Sequence, residues 1–268
     1  MSRTRGTWNT RGTWLAGAAL AAVLALTGYA VLAGGDDDGR AAGKSRETPS
    51  SASSTATSGP TPGYTQPDDW SEPERWTALP RGGETDERGS EIGFPHTSEG
   101  AVAMAAAANT TSIEGDRGTV DEQLRLYHSY VAEADRSDEN AEQIELTAIE
   151  TDKLLHREMG VKAGAPLPSG AYTRSTVIGY KIVTASENEV AVWLLFRTAQ
   201  KAGETARESI AYGRILNAVV WEDGDWRLSG AATQRALRVV QESGKPKMVA
   251  PGDSAFNEAG WTAIRAAS

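Results

Sequence analysis

The side chains able to do chemistry in this sequence are few and scattered. Tyr127, Tyr130, Tyr180 and Tyr212, with Asp121 and Glu122, are the types that acid–base work beside a carbonyl needs. Such a site pairs a carboxylate in an apolar setting with a tyrosine or second acid that stabilises an enolate. But Thr119-x-x-Glu122 reads as a helix capping box with Asp121 adding charge at the positive helix end, which already accounts for both acids. Tyr127 falls on an apolar helical stripe, where packing with a hydrogen-bonded hydroxyl explains it. His96, His128 and His156 each stand alone, with neither a His-x-x-x-His spacing nor a paired carboxylate. Asp36-Asp37-Asp38 could attract a hard cation and reads more simply as an exposed charge run. Gly34-Gly35 lacks the Lys-Ser/Thr of a phosphate loop, there is no Gly-x-Ser-x-Gly elbow, and there is no cysteine. The expectation is a non-catalytic chain with no cofactor and no metal.

Net charge narrows the partners. Twenty-seven Lys and Arg against 36 Asp and Glu leave −9 over 268 residues. That lacks the basic footprint with which duplex binders neutralise phosphates, so nucleic acid is not expected as a partner.

The elements follow from patterning. Trp14 to Ala33 carries no charge, with arginines at 3, 5 and 11 before it and the three aspartates after it. Its length and flanks read as a transmembrane helix with the N-terminus cytoplasmic, the rival being a cleaved signal peptide. From 34 to about 94 the chain is rich in Ser, Thr, Gly and Pro and reads as a flexible extracytoplasmic linker. Trp70 and Trp76 interrupt it, either as a strap across the domain or as a docking motif. Thr97 or Ser98 can cap an alanine-rich helix, the capping box opens a second, and a third follows Ser137 with a stripe of Ile144, Ala148, Thr151 and Leu155. The period then becomes two. Strands are expected over 172–185, 189–197, 210–221 and 226–231, with Asp223-Gly224 turning the last hairpin between Trp221 and Trp226. Beyond them, Asp253 caps a short helix placing Phe256, Gly260, Trp261 and Ile264 on one face, which either folds back onto the domain or docks to a partner.

Helices before consecutive antiparallel strands argue an α+β fold. The expected architecture is three helices packed in a curved antiparallel four-stranded sheet. The expected division is a cytoplasmic tail over 1–13, a transmembrane helix over 14–33, a linker over 34–94, the α+β domain over 95–232 and a C-terminal extension over 233–268. The capped Thr119 helix and the hairpin Trp221-Glu222-Asp223-Gly224-Asp225-Trp226-Arg227-Leu228 make this region resemble the nuclear transport factor 2-like (cystatin-like) fold, over about half the chain. Joined to one N-terminal span, and with His96-Thr97-Ser98-Glu99-Gly100-Ala101-Val102-Ala103 before the alanine-rich helix, it resembles bitopic TcpC-like conjugal transfer proteins. That resemblance implies a membrane-anchored, extracytoplasmic scaffold of a conjugation or secretion channel, with protein subunits of a membrane complex as partners and self-association compatible with it. The alternative it implies is a small-molecule or lipid binder of the Mce-associated or isomerase-like kind. The residues expected to bind a partner are Trp70, Trp76, Phe256, Trp261 and Ile264. A scaffold should fill the sheet's interior with side chains such as Trp193, Phe196 and Trp221; a pocket enzyme should keep it open.

Overall fold

The computed structural model describes residues 70–241 and 244–265. Its nine strands are β1 Trp76–Ala78, β2 Glu84–Thr85, β3 Glu91–Ile92, β4 Thr111–Glu114, β5 Ala171–Ala185, β6 Glu189–Ala202, β7 Ser209–Glu222, β8 Asp225–Leu228 and β9 Thr262–Arg265. Its helices are α1 Ser98–Ala108, α2 Thr119–Tyr130, α3 Asp138–Glu158, α4 Gly230–Val240 and α5 Ser254–Glu258, with a 3₁₀ turn over Glu133–Asp135.

The expected four-stranded cone is corrected. The main sheet has seven strands in the order β1-β9-β5-β6-β7-β8, with β4 also on β5, and it is mixed because β1 runs parallel to β9. Three strands are added by short segments, and each owes its place to a neighbour rather than to its own periodicity. β4 is four residues antiparallel to the start of β5. A register shift between Val177 and Gly179 breaks the β5–β6 ladder, and there Gly179 lies opposite Ala263 of β9. A Cβ on Gly179 would come within 3.3 Å of the Phe256 ring, so glycine lets α5 close over the strand.

Helices cover both faces of the sheet. Val190 to Phe196 of β6 is buried without a break, the even residues in one core and the odd residues in another. That is the signature of a strand covered on both sides. The first core sets α1 and α2 against Val192, Leu194, Phe196 and Val219. α1 is buried on nearly every side, as its run of alanines allows; its cap is Thr97 Oγ1, which accepts from Gly100 N–H at 3.0 Å. The second core sets α4, α5 and Trp261 against Ala191, Trp193 and Leu195. A Cβ at Gly100 would lie 1.9 Å from the Pro95 carbonyl oxygen, so this approach requires glycine.

The expectation of a single-pass membrane protein is corrected as well. Among the described residues no helix is long and apolar enough to cross a membrane, and the segment expected to do so, 14–33, lies outside them. Most of the expected linker, 34–69, also lies outside. From Trp70 onward the chain is part of the fold: Ser71 pairs with Gly252, and β1 enters the sheet.

Candidate functional site

A small hairpin, β2–β3, lies over α2 and opens a cleft beside it. Asp86 builds its turn. One carboxylate oxygen accepts from the backbone N–H of Arg88 at 2.9 Å and of Ser90 at 2.8 Å, and the other accepts from Ser129 Oγ at 2.6 Å. Asp225 fixes the far end, accepting from the N–H groups of Gly93 and Phe94 at 2.9 and 3.0 Å. Burial opposes the Asp86 charge, but these hydrogen bonds with Ser129, Ser90 and Arg88 prevail and hold its carboxyl below the usual carboxylate range.

The cleft has a volume of about 390 Å³ and is lined by Arg88, Arg117, Asp121, Glu122, Leu124, Arg125 and His128. Three elements supply these residues: the hairpin gives Arg88, the turn after β4 gives Arg117, and one face of α2 gives the rest. The capping box expected at Thr119 does not form. Gly118 is the N-cap, Thr119 Oγ1 donates to Asp152 Oδ1 on α3 at 3.0 Å, and Glu122 turns inward, its side chain 1% exposed. There Arg125 grips it with two bonds, Nε to Oε2 at 2.9 Å and Nη2 to Oε1 at 2.7 Å, while Nη1 donates to Ser90 Oγ at 2.6 Å. Burial works against the guanidinium charge, and Glu122 more than offsets it, so the Arg125 pKa lies above its ordinary value. Tyr130 behind the pair is pushed up by its own burial, with Arg125 opposing.

With Glu122 committed to Arg125, the cleft's cations outweigh its free acids. Arg117 Nη1 approaches Glu122 Oε2 only to 3.8 Å, and its side chain is 56% exposed. Burial first, then the charges of Arg88 and Arg136, push the His128 pKa below the ordinary histidine value.

The chain belongs to the DUF8175 family. The family model, described as a domain of unknown function, matches residues 33–244. No curated protein and no solved structure matches the chain. None of these matches supports the expected link to conjugation or secretion. The matched DUF8175 span contains the whole cleft, whereas α5 and β9 follow it.

The other expected residues sit elsewhere in this DUF8175 chain. Trp70 lies against Gly252, where a Cβ would meet its ring at 2.2 Å, and Glu72 accepts from both indoles, Trp70 Nε1 at 3.0 Å and Trp76 Nε1 at 3.1 Å. Phe256 and Trp261 are fully buried, Trp261 Nε1 donating to the Lys247 carbonyl at 2.8 Å, and Ile264 packs half-buried against the first core. These five residues hold segments 70–78 and 253–265 to the sheet. The tyrosines do not converge: the Tyr127 hydroxyl bonds Ser137, that of Tyr180 donates to Thr77, and Tyr212 lies on β7. His96 stacks on Trp221 at 3.9 Å, and His156 sits between the carbonyls of Asp152 and Ala165. Among the described residues, Glu133, Glu222 and Asp223 are the acids whose oxygens lie near enough, within 4.8 Å, to share a cation. They are ordinary surface carboxylates beside the last hairpin turn.

Proposed function

We propose that this domain is a non-catalytic binding module that receives a carboxylate from a partner protein in the cleft between the β2–β3 hairpin and α2. The observation that carries this reading is the state of the cleft's own acid: Arg125 takes both oxygens of Glu122, Arg117 reaches that acid only at 3.8 Å, and Arg88 pairs only with the exposed Glu87 at 3.0 Å, so both arginines can turn to an incoming carboxylate. Arginine suits such a role because its planar fork grips carboxylates with two bonds. A small-molecule pocket is lined mainly by apolar and aromatic groups. Here Leu124 is the one apolar lining residue, and the sheet face toward α1 and α2 is closed by their side chains.

A photo-crosslinking residue at Leu124 of the full chain, irradiated in native extract, tests this. The expected result is a covalent adduct with a defined protein, weakened by added salt and suppressed by Arg117→Glu, with no such adduct from the exposed, distant Leu146. Absence of any protein adduct at Leu124, or adducts indifferent to Arg117→Glu, would overturn the reading.

A further inference from the structure

β7 is paired along its length on one side and only at its end on the other. Its register with β6 runs from Ser209 opposite Gln200 to Val220 opposite Glu189 without a shift, whereas β8 covers Val219 to Glu222 only. The Trp221 N–H donates to the Asn188 carbonyl at 2.9 Å, which fixes the phase of the ladder. Alternation then turns the odd-numbered residues toward β6 and directs the N–H and C=O of Ile210, Tyr212, Arg214 and Leu216 outward. Ala218, next in that series, has both outward groups satisfied: its N–H donates to Thr233 Oγ1 at 3.0 Å and its carbonyl accepts from Ser229 N–H at 3.0 Å. Among the described residues nothing pairs with the outward backbone groups of the other four.

We propose that this edge pairs with the same edge of a second copy, antiparallel about a two-fold axis at Gly213. Exposed edges are ordinarily blunted by proline, lysine, a bulge or shortness. Over 210–216 this stretch has no proline, lysine or bulge, its one charged side chain is Arg214, and Ile210 on it is 47% exposed. Identical strands related by a two-fold axis present the same patch to each other, so the sequence must be complementary to its own reverse. Centred on Gly213, it is. Tyr212 faces Arg214 of the second copy, twice, giving an aromatic ring a guanidinium partner. Ile210 faces Leu216, twice, and all four outward residues find a backbone partner. Shifting the axis to Arg214 sets that cation against itself, and shifting it to Tyr212 leaves Leu216 unpaired. Arg214 already holds its Nε buried without an acceptor in the single copy. Glycine on the axis suits the close approach of the two backbones, since opposed residues of a non-hydrogen-bonded pair come to about 4.5 Å between Cα atoms.

Sedimentation equilibrium of the full chain tests the proposal, with Tyr212→Pro as the blocking variant. Proline there removes an outward N–H and none that bonds β6, so the fold keeps its ladder. The expected result is a concentration-dependent dimer whose dissociation constant rises about tenfold or more in Tyr212→Pro, through loss of two symmetry-related hydrogen bonds. The native chain has no cysteine, so Gly213→Cys gives a second measurement. Mild oxidation should join that variant into a disulfide-linked dimer, while Ile182→Cys, on an exposed and distant position, should stay monomeric. A chain that remains monomeric throughout, or a dimer unaltered by a folded Tyr212→Pro together with no disulfide at 213, would overturn it.

Discussion

Glu122 is a buried carboxylate gripped by the two bonds of Arg125, and this makes it sensitive to loss of that partner. Removing either member of a buried pair strands the other, at a cost of about 3–5 kcal/mol, whereas replacing both with apolar residues of similar volume costs much less. Arg125→Ala should therefore destabilise the domain by about that amount in denaturant unfolding, and the double variant Glu122→Leu/Arg125→Met should recover most of it. His128 acts in the opposite sense from an ion pair. Its pKa in the folded state lies below that of the unfolded chain, so its contribution is neutral above about pH 6.5 and becomes unfavourable as pH falls toward the folded value. Thermal melts from pH 8 to pH 5 should show the native chain losing stability relative to His128→Gln only below about pH 6.5. A constant difference across that range would show that folding does not lower the His128 pKa. Neither residue could be assigned from sequence. Glu122 follows Thr119 at capping-box spacing, and only the burial of its side chain reveals the competing bond to Arg125, which itself lies three residues on along the same helix face. Arg88 and Arg117 reach the cleft from separate turns, and no spacing links them to α2.

At the scale of elements, the long strands were legible and the short ones were not. β5, β6, β7 and β8 fall close to where alternation and the Asp223-Gly224 turn put them, because each carries its own period and its own stop. Trp221 and Trp226 are indeed cross-strand partners, their rings edge to face at 5.3 Å. β1, β4 and β9 have three or four residues each, too few to show a period, and they exist because a neighbouring strand offers an edge. α4 begins Gly230-Ala231-Ala232-Thr233, a stretch that reads as the tail of a strand until Ser229 Oγ is seen accepting from Ala232 N–H as its cap. One signal for the second layer was present and is physically plain: seven consecutive buried residues in β6 demand cover on both faces, and α4 and α5 provide it. The C-terminal extension is thus part of the core, and Trp261→Ala should lower the stability of the isolated protein by about 3–5 kcal/mol, read from chemical denaturation. A change within about 0.5 kcal/mol, the scale of an ordinary surface substitution, would show that the tail is not structural.

For the molecule as a whole, the first and last of the described segments, 70–78 and 250–265, meet. Asn257 Nδ2 donates to the Glu72 carbonyl at 3.0 Å across 185 residues, its Oδ1 accepts from Glu74 N–H at 2.9 Å, and β1 then runs beside β9. Contacts so distant in sequence are the slowest to form, because the intervening chain must be ordered before they gain anything. During synthesis the segment from Trp70 to Ala78 leaves the ribosome early and waits for the last residues of the chain. Until those residues emerge, the β9 side of β5, the tryptophans of the second core and the strand at 76–78 all lack their cover. A nascent chain stalled before residue 251 would carry that apolar surface in the open, where chaperones and proteases find it. The parallel pairing of β1 with β9 therefore acts as a check on synthesis: only a chain translated past Arg265 can close this sheet.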